Sequence, residues 1–459
     1  MKKFLHQQIN RFLLGSLSCL LVGCSSFSPD GGFHAVASVA HQHLKKDVIW
    51  AKSDDDKNTI AQRVAELLRL PFSVDSAVQI ALLNNRGLQA SFAELSITEA
   101  DLVQAGRLPN PTFSMLRASK VAADGSDYKI EQTLLFNLFS LVTMPQRRAI
   151  EQRRFEQTQR AVSLAMLKLA AETRKAYYNA IAAQESVHYA RQVNQAAQAS
   201  AELAKRMLQV GNLNKLQNAH EQGFYAEAGL NLRRTEQQLV LAREHLMRLL
   251  GLGGHDDKVD LPEHLPDLPQ VVIALPDAEK TAIAQRLDIQ IMRIEVAALA
   301  KNLGLSKTTR LINVLEFGPV RVLEGTADSG YKKGYEISFE LPLFDWGTAK
   351  VAKAEALYMQ AIDRAAEMAV NARSEVRDAY SQYRASYEMA RHYRDEILPI
   401  KKRISAENQL RYNAMLISVF DLLVDARSQI ASVNNYIEVL RDFWIAEANL
   451  QMALLGKPD

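Results

Sequence analysis

The sequence predicts a mainly α-helical protein with a small β portion: long antiparallel coiled-coil helices in two tandem repeats, with four strands per protomer. Three observations predict it. "ETRKAYYNAIAAQESV" at Glu172 is echoed by "EVRDAYSQYRASYEM" at Glu375. No glycine or proline interrupts positions 146–210, and amphipathic alternation precedes each long helical stretch.

The chain opens on a basic stub (Lys2, Lys3, Arg11), an apolar run over 12–22, and "LVGC" ending at Cys24. That pattern is an export signal over 1–23, too short to span a bilayer permanently. It resembles a bacterial lipobox, which implies that Cys24 receives lipid; Ser25 after it implies sorting to the outer membrane. Of 55 basic residues, three lie in the signal, which has no acidic residue, so the mature chain balances 52 basic against 52 acidic. The apparent basicity belongs to the signal, and nucleic acid is not a partner. The two cysteines, Cys19 and Cys24, leave the mature protein without a disulfide or a cysteine metal site. No later stretch reaches 18 uninterrupted apolar residues, so no transmembrane helix is predicted.

The uninterrupted stretch of roughly 65 residues would measure about 97 Å as one helix. A 4-3 seam runs through it: Val162, Met166, Leu169, Thr173, Ala176, Ala180, Ala183, Val187, Ala190, Asn194, Ala197, Ala201, Ala204 and Leu208. A seven-residue period held this long predicts a left-handed supercoil, and its many alanines suit a tube wall in which backbones come close. The seam recurs from Ala365 through Ala372, Val376, Ala379, Tyr383 and Ala390 to Ile397, Ile400 and Ile404, with Pro399 expected to bend that helix without necessarily ending it. Other landmarks repeat in register. "GLQASFAEL" at Gly87 matches "DIQIMRIEV" at Asp288, and "VGNLNKL" at Val210 matches "AMLISVF" at Ala414.

The predicted organisation is a signal over 1–23, an anchored tether over 24–70 and a first repeat over 71–260. A proline-bearing linker over 261–275 then leads to a second repeat over 276–459. Each repeat opens on a shorter helix. Ser73 caps the first, with Asp75 in its first turn, and it ends near Gly106; the second runs from about Pro276 to Gly304.

"GYEISFELPLF" at Gly334 alternates Tyr335, Ile337, Phe339 and Leu341 with Glu336, Ser338 and Glu340. "YKIEQTLLF" at Tyr128 alternates similarly, and partner strands are expected over 112–120 and 311–323. Lengths near those that cross a bilayer, and Phe136, Phe139, Phe344 and Trp346 near the strand ends, favour a membrane barrel over hairpins on a soluble core. Four strands cannot close a barrel; three chains give a twelve-stranded one with room for a channel.

These residues resemble the outer-membrane efflux duct family, the TolC-like proteins. The resemblance spans about 71–456. It is carried by the opening "SVDSAVQIALLNNRGLQASFAELSITEADLVQAGRLPNPTFS", by "ELPLFDWG" before the second long helix, by "RYNAMLISVFDLLVDARSQ" at the second hairpin tip, and by the tandem repeat. It implies a homotrimer in the outer membrane lipid, a helical tunnel in the periplasm, and two partners: a periplasmic adaptor protein and an inner-membrane pump, of the resistance type by analogy. It also implies an acidic constriction at the periplasmic tips. Asp421 matches that position, Gln217 replaces it in the first tip, and Val424 stands where some members have a second Asp; Asp425, the candidate to replace that second Asp, is rotated about 100° from it on the helix.

The family's tip glycine is Gly211 in the first repeat and Met415 in the second, where a left-handed turn would strain Met; a different local shape is expected there. Gly211, Leu213, Leu416, Ile417, Ser418 and Val419 form the expected adaptor-docking tips, since their apolar members are hard to bury within one chain.

No cofactor is expected. "HQH" at His41 and "HDD" at His255 lack a third ligand placed by spacing, so no metal site is assigned. No nucleophile elbow or glycine-rich phosphate loop appears, and the reading is not an enzyme. The expected function is the outer-membrane channel of a tripartite efflux system that passively conducts small molecules or metal ions. The alternatives are a structural coiled-coil lipoprotein without a pore and the outlet of a type I protein secretion system.

Overall fold

The structure, a computed structural model, describes residues 26–122, 125–253, 259–272, 274–312, 314–325 and 329–458. The signal over 1–23, Cys24 and the "HDD" at His255 lie outside the described residues. The element order is α1 (Phe33–Val39), a π-helical turn (Ala40–Leu44), α2 (Asp54–Arg69), α3 (Val74–Asn84), α4 (Arg86–Ala105), β1 (Thr112–Ala122), β2 (Gly125–Asn137), α5 (Leu138–Gln209) and α6 (Lys215–Leu250). The second repeat continues with α7 (Ala278–Gln285), α8 (Leu287–Thr308), β3 (Leu315–Gly325), β4 (Lys332–Phe339), α9 (Thr348–His392), a π-helical turn (Tyr393–Ile397), α10 (Leu398–Asn413) and α11 (Val419–Leu455). The chain is therefore mainly α with a small four-stranded sheet.

The chain divides into two compact units, and each takes segments from both repeats. The first comprises the described residues within Met1–His34, Ala93–Ala161 and Gln290–Glu367; the second comprises those within Ala35–Phe92, Val162–Ile289 and Met368–Asp459.

The first unit holds one antiparallel sheet in the order β1-β2-β3-β4. The two expected hairpins are joined edge to edge, because β2 also pairs with β3. That ladder skips the backbone opposite Gly318 and Pro319. Proline has no N–H to give, and a Cβ on Gly318 would lie 1.7 Å from the Leu134 carbonyl oxygen, so glycine alone admits the close approach. The expected strand through Leu341 to Phe344 stops at Phe339, since Pro342 holds the residue before it out of the ladder. In the same unit Glu99, buried, accepts from both the backbone N–H (2.6 Å) and the hydroxyl (2.5 Å) of Ser28.

In the second unit the first seam is the buried edge of α5. Val162, Met166, Thr173, Ala176, Ala180, Val187, Ala190, Ala197, Ala201 and Ala204 are all at most 3% exposed. Ser73 caps α3 as expected, in a capping box with Ser76. Both opening helices break once, at repeat-equivalent residues Asn85 and Arg286, and the second continues past Gly304 to Thr308. The breaks turn polar groups inward. Asn85 donates to the Leu249 carbonyl (3.0 Å), and Arg286, 1% exposed, ion-pairs with Asp288 (2.6 Å) and Glu375 (2.7 Å).

The segment expected as a tether is docked where it lies in this unit. Lys46 pairs with Asp75 (2.8 Å), the Ala51 N–H donates to the Gln89 side chain (3.0 Å), and Ile49 and Ala51 pack on the core. The linker is strapped to helices by donors on three of them: Gln184 to the Pro262 carbonyl, Tyr387 to Gln270 and Trp444 to Pro266.

Pro399 leaves its helix continuous, but a π-helical turn just before it alters the register. A π turn inserts one residue and rotates the downstream helix by about 100°. Ile400 and Ile404, expected on the buried seam, are therefore 45% and 41% exposed. Lys401 and Ser405 take their place as half-buried residues, and Lys401 donates to the Ser428 hydroxyl at 2.7 Å.

Candidate functional site

Two regions present what the duct reading requires, the hairpin tips of the second unit and the sheet of the first.

Each tip ends one helix and starts the next within a few residues. At the first, Gly211 has φ 77°, its N–H donates to the Leu208 carbonyl, and the Asn212 N–H reaches back to Met207. At the second, Met415 has φ 61°, its N–H donates to Tyr412, and the Leu416 N–H reaches back to Arg411. The different shape expected for the second tip is thus corrected. The hydrogen bonds that close the helix terminus hold Met in the left-handed conformation, and its side chain escapes crowding by standing 93% exposed.

The next helix starts in the same way at both tips. Asn214 caps α6 with Gln217 completing the box, and Ser418 caps α11 with Asp421 completing it. Asp421 Oδ2 accepts from the Ser418 hydroxyl (2.7 Å) and backbone N–H (3.0 Å). The Ser418 hydroxyl, then its N–H, hold the Asp421 carboxyl below the usual carboxylate pKa. Residues Gln217 and Asp421 are therefore the same structural position, and only the second carries charge.

The docking residues separate by exposure. Leu416 is 74% exposed, Ile417 and Val419 are half-buried, and Leu213 is 8% exposed. The expectation that Leu213 is hard to bury within one chain is corrected: directly before the cap residue Asn214, it is buried within the chain itself. Leu216 at 67% and Val210 at 71% supply the exposed apolar surface of the first tip. Asp425 is half-buried, and its Oδ2 has no hydrogen-bond partner.

Sequence reasoning missed a polar cluster above the tips. Glu221 on α6 is 7% exposed, accepts from the Ser200 hydroxyl on α5 (2.5 Å) and ion-pairs with Arg427 on α11 (2.5 Å). Arg427 also lies over the Phe224 ring at 3.6 Å. The signal that could have found it is the repeat itself, which makes Glu221 the counterpart of Asp425.

The sheet inverts the usual burial pattern. By register, Phe113, Tyr128, Phe136, Phe317, Tyr335 and Phe339 share one face, and these are all the aromatic residues of the strands. Phe113, Tyr335, Ile337 and Phe339 are 54–72% exposed, whereas Glu336 and Ser338 on the opposite face are half-buried. In water such a surface would be covered; against lipid tails it is already solvated. Beyond the strands Phe344 is 98% and Trp346 61% exposed. No helix among the described residues is long and apolar enough to cross a membrane. No cluster of three metal-ligating side chains occurs among the described residues either.

The sequence matches the family described as outer membrane efflux protein over residues 77–252 and 280–456, one match per repeat. No curated protein sequence matches the chain significantly. Among solved structures, the Campylobacter jejuni CmeC outer membrane channel is 17% identical and has a TM-score of 0.71, covering 83% of this chain and 85% of its own. The open state of the Neisseria gonorrhoeae MtrE outer membrane channel is 19% identical with a TM-score of 0.69, covering 84% and 90%. A membrane protein from Pseudomonas aeruginosa is 18% identical with a TM-score of 0.70, covering 83% and 93%. At these identities the likeness is one of fold, and the matched repeats supply the assignment: the chain belongs to the outer membrane efflux protein family.

Proposed function

We propose that three copies of this chain form the outer-membrane duct of a tripartite efflux system, passively conducting small molecules or metal ions delivered by an inner-membrane pump through a periplasmic adaptor. The observation that carries the reading is the sheet, with its exposed aromatic residues on one face and its carboxylates on the other. Four strands per chain make a closed lumen only when copies associate, and three give the twelve needed for an open channel. A lipid on Cys24 would hold the chain at the same membrane.

At the tips, Asp421 is the constriction carboxylate. The capping box fixes its position and occupies Oδ2, leaving Oδ1 to face a passing cation. Asp425 backs it from the next turn. Gly211, Leu416, Ile417, Ser418 and Val419, with exposed Leu216 and Val210, form the adaptor-docking surface, and Leu213 supports it from beneath.

Single-channel recording of the purified protein in a planar bilayer tests the pore. Asp421→Asn, which keeps the cap geometry, is expected to weaken block by divalent cations; unchanged block would leave Asp421 a cap and nothing more. A bilayer without conductance steps would favour a pore-free structural lipoprotein. Cargo is read by the growth of a deletion strain on copper, silver, zinc, cobalt, lipophilic drugs and bile salts, with the gene restored as control. Resistance unchanged on all of them, with loss of a secreted protein, would favour the secretion outlet.

A further inference from the structure

The aromatic face of the sheet carries cations but no acid. By register, Arg117, Arg321 and Lys333 share it with the six aromatics, whereas Glu131, Glu316, Glu324 and Glu336 all lie on the opposite face. On the opposite face Lys129 pairs with Glu131 (3.4 Å) and Lys332 with Glu324 (3.3 Å). Among the described residues, exposed Arg321 and Lys333 pair with no carboxylate, and Arg117 meets only the Tyr128 ring, at 5.8 Å.

Their placement is specific. Arg321 and Lys333 stand directly opposite each other on β3 and β4, and Gln132 stands opposite Arg321 on β2. Arg117 lies one pleat further toward the β1–β2 turn. One pleat the other way, toward the helices, begins the apolar band with Phe113, Leu134, Pro319 and Tyr335. Like charges directly opposed across two strands repel, and here no described carboxylate screens them. Cations on the lipid face of a barrel are tolerated near the interface and opposed at the midplane. The row therefore belongs at headgroup level, on the loop side of the apolar band, with the β1–β2 hairpin continuing beyond it. An anion between Arg321 and Lys333 would turn repulsion into a bridge. The guanidinium fork fits a phosphate bidentately, the ammonium supplies a point charge, and the Gln132 amide a neutral donor.

We propose that Gln132, Arg321 and Lys333, with Arg117 beside them, form a binding site for the phosphate of an anionic lipid headgroup in the leaflet at the loop end of the sheet. This inference rests on the membrane-barrel reading. The test uses the full-length protein in nanodiscs of phosphatidylcholine with a minor fraction of phosphatidylglycerol, released into native mass spectrometry, and conductance measured on the same preparations. Arg321→Gln with Lys333→Gln is expected to lower retained phosphatidylglycerol roughly 30-fold, at the affinity typical of two basic residues near a charged surface, leaving phosphatidylcholine unchanged. The matched pair Lys129→Gln with Lys332→Gln on the opposite face is expected to retain it, as is the charge-preserving Arg321→Lys with Lys333→Arg.

Equal retention by wild type and the first pair, in protein that conducts, overturns the site alone. Absence of conductance in wild type overturns the barrel reading. Inorganic phosphate that protects the row from lysine-directed labelling while phosphatidylglycerol does not would assign it to free phosphate and overturn the lipid.

Discussion

Met415 holds the backbone conformation that Gly211 holds in the other repeat, and it does so with a Cβ. Replacing it with glycine removes a left-handed penalty of roughly 1 kcal/mol. Met415→Gly is expected to slow hydrogen exchange of the amides around the second tip, and faster exchange would mean that the Met side chain contributes contacts there. At the same tip, the pKa of Asp421 is depressed by its bonds to Ser418, so its contribution is present above the unfolded-state value and lost as pH falls through the folded one. The start of α11 is expected to fray below about pH 4, and to do so less steeply in Asp421→Asn, as amide exchange against pH would read.

Arg286 is the most deeply buried charge among the described residues. Arg286→Met leaves Asp288 and Glu375 facing each other without a cation and is expected to cost about 3–5 kcal/mol in chemical denaturation. The two carboxylates that pair with it were visible in the sequence, Glu375 as half of the repeated motif. Their common partner was not, because Arg286 is brought to Glu375 by the break between α7 and α8. The mates have diverged accordingly: Glu172 pairs with Lys175 one turn along its own helix.

At the level of elements, a seven-residue period predicts burial only while the helix keeps one turn type. The first seam stays buried along α5, but the second loses Ile400 and Ile404 to the surface after the turn Tyr393–Ile397. A pair of substitutions separates these cases. Ala180→Leu, at a position with no exposure, is expected to cost about 1–3 kcal/mol by overpacking. Ile400→Ser is expected to stay within about 0.5 kcal/mol in the thermal unfolding of the same preparation. A large loss from Ile400→Ser would place that residue in a contact made by the assembled protein. Helix starts at Ser73 and strand alternation from Tyr335 to Phe339 were legible because both depend on neighbours a few residues away. The π turn was not, because Pro399 permits a kink, a bulge or a stop, and packing selects among them.

For the whole molecule, the sheet's reversed burial makes opposite predictions for its two faces. Tyr335→Asp, on the aromatic face beside the cationic row, is expected to weaken folding into lipid vesicles by about 1–2 kcal/mol. Glu336→Gln, its neighbour on the other face, is expected to leave folding unchanged and to shift the channel's ion selectivity away from cations. Equal effects on folding would mean that neither face meets lipid.

The sequence alone determined the tandem architecture, the four strands, the helix start at Ser73 and the alternation of the strands from Tyr128 and Tyr335, since periodicity and local hydrogen bonding are written in the order of residues. Tertiary structure decided the rest. It joined β2 to β3 into one sheet, held Met415 in its turn, buried Leu213, and brought Glu221, Ser200 and Arg427 together from three helices. Each of these depends on residues far apart in the chain meeting at close range, where the cost of leaving a charge, a hydrogen bond or an apolar surface unpaired overrides local preference.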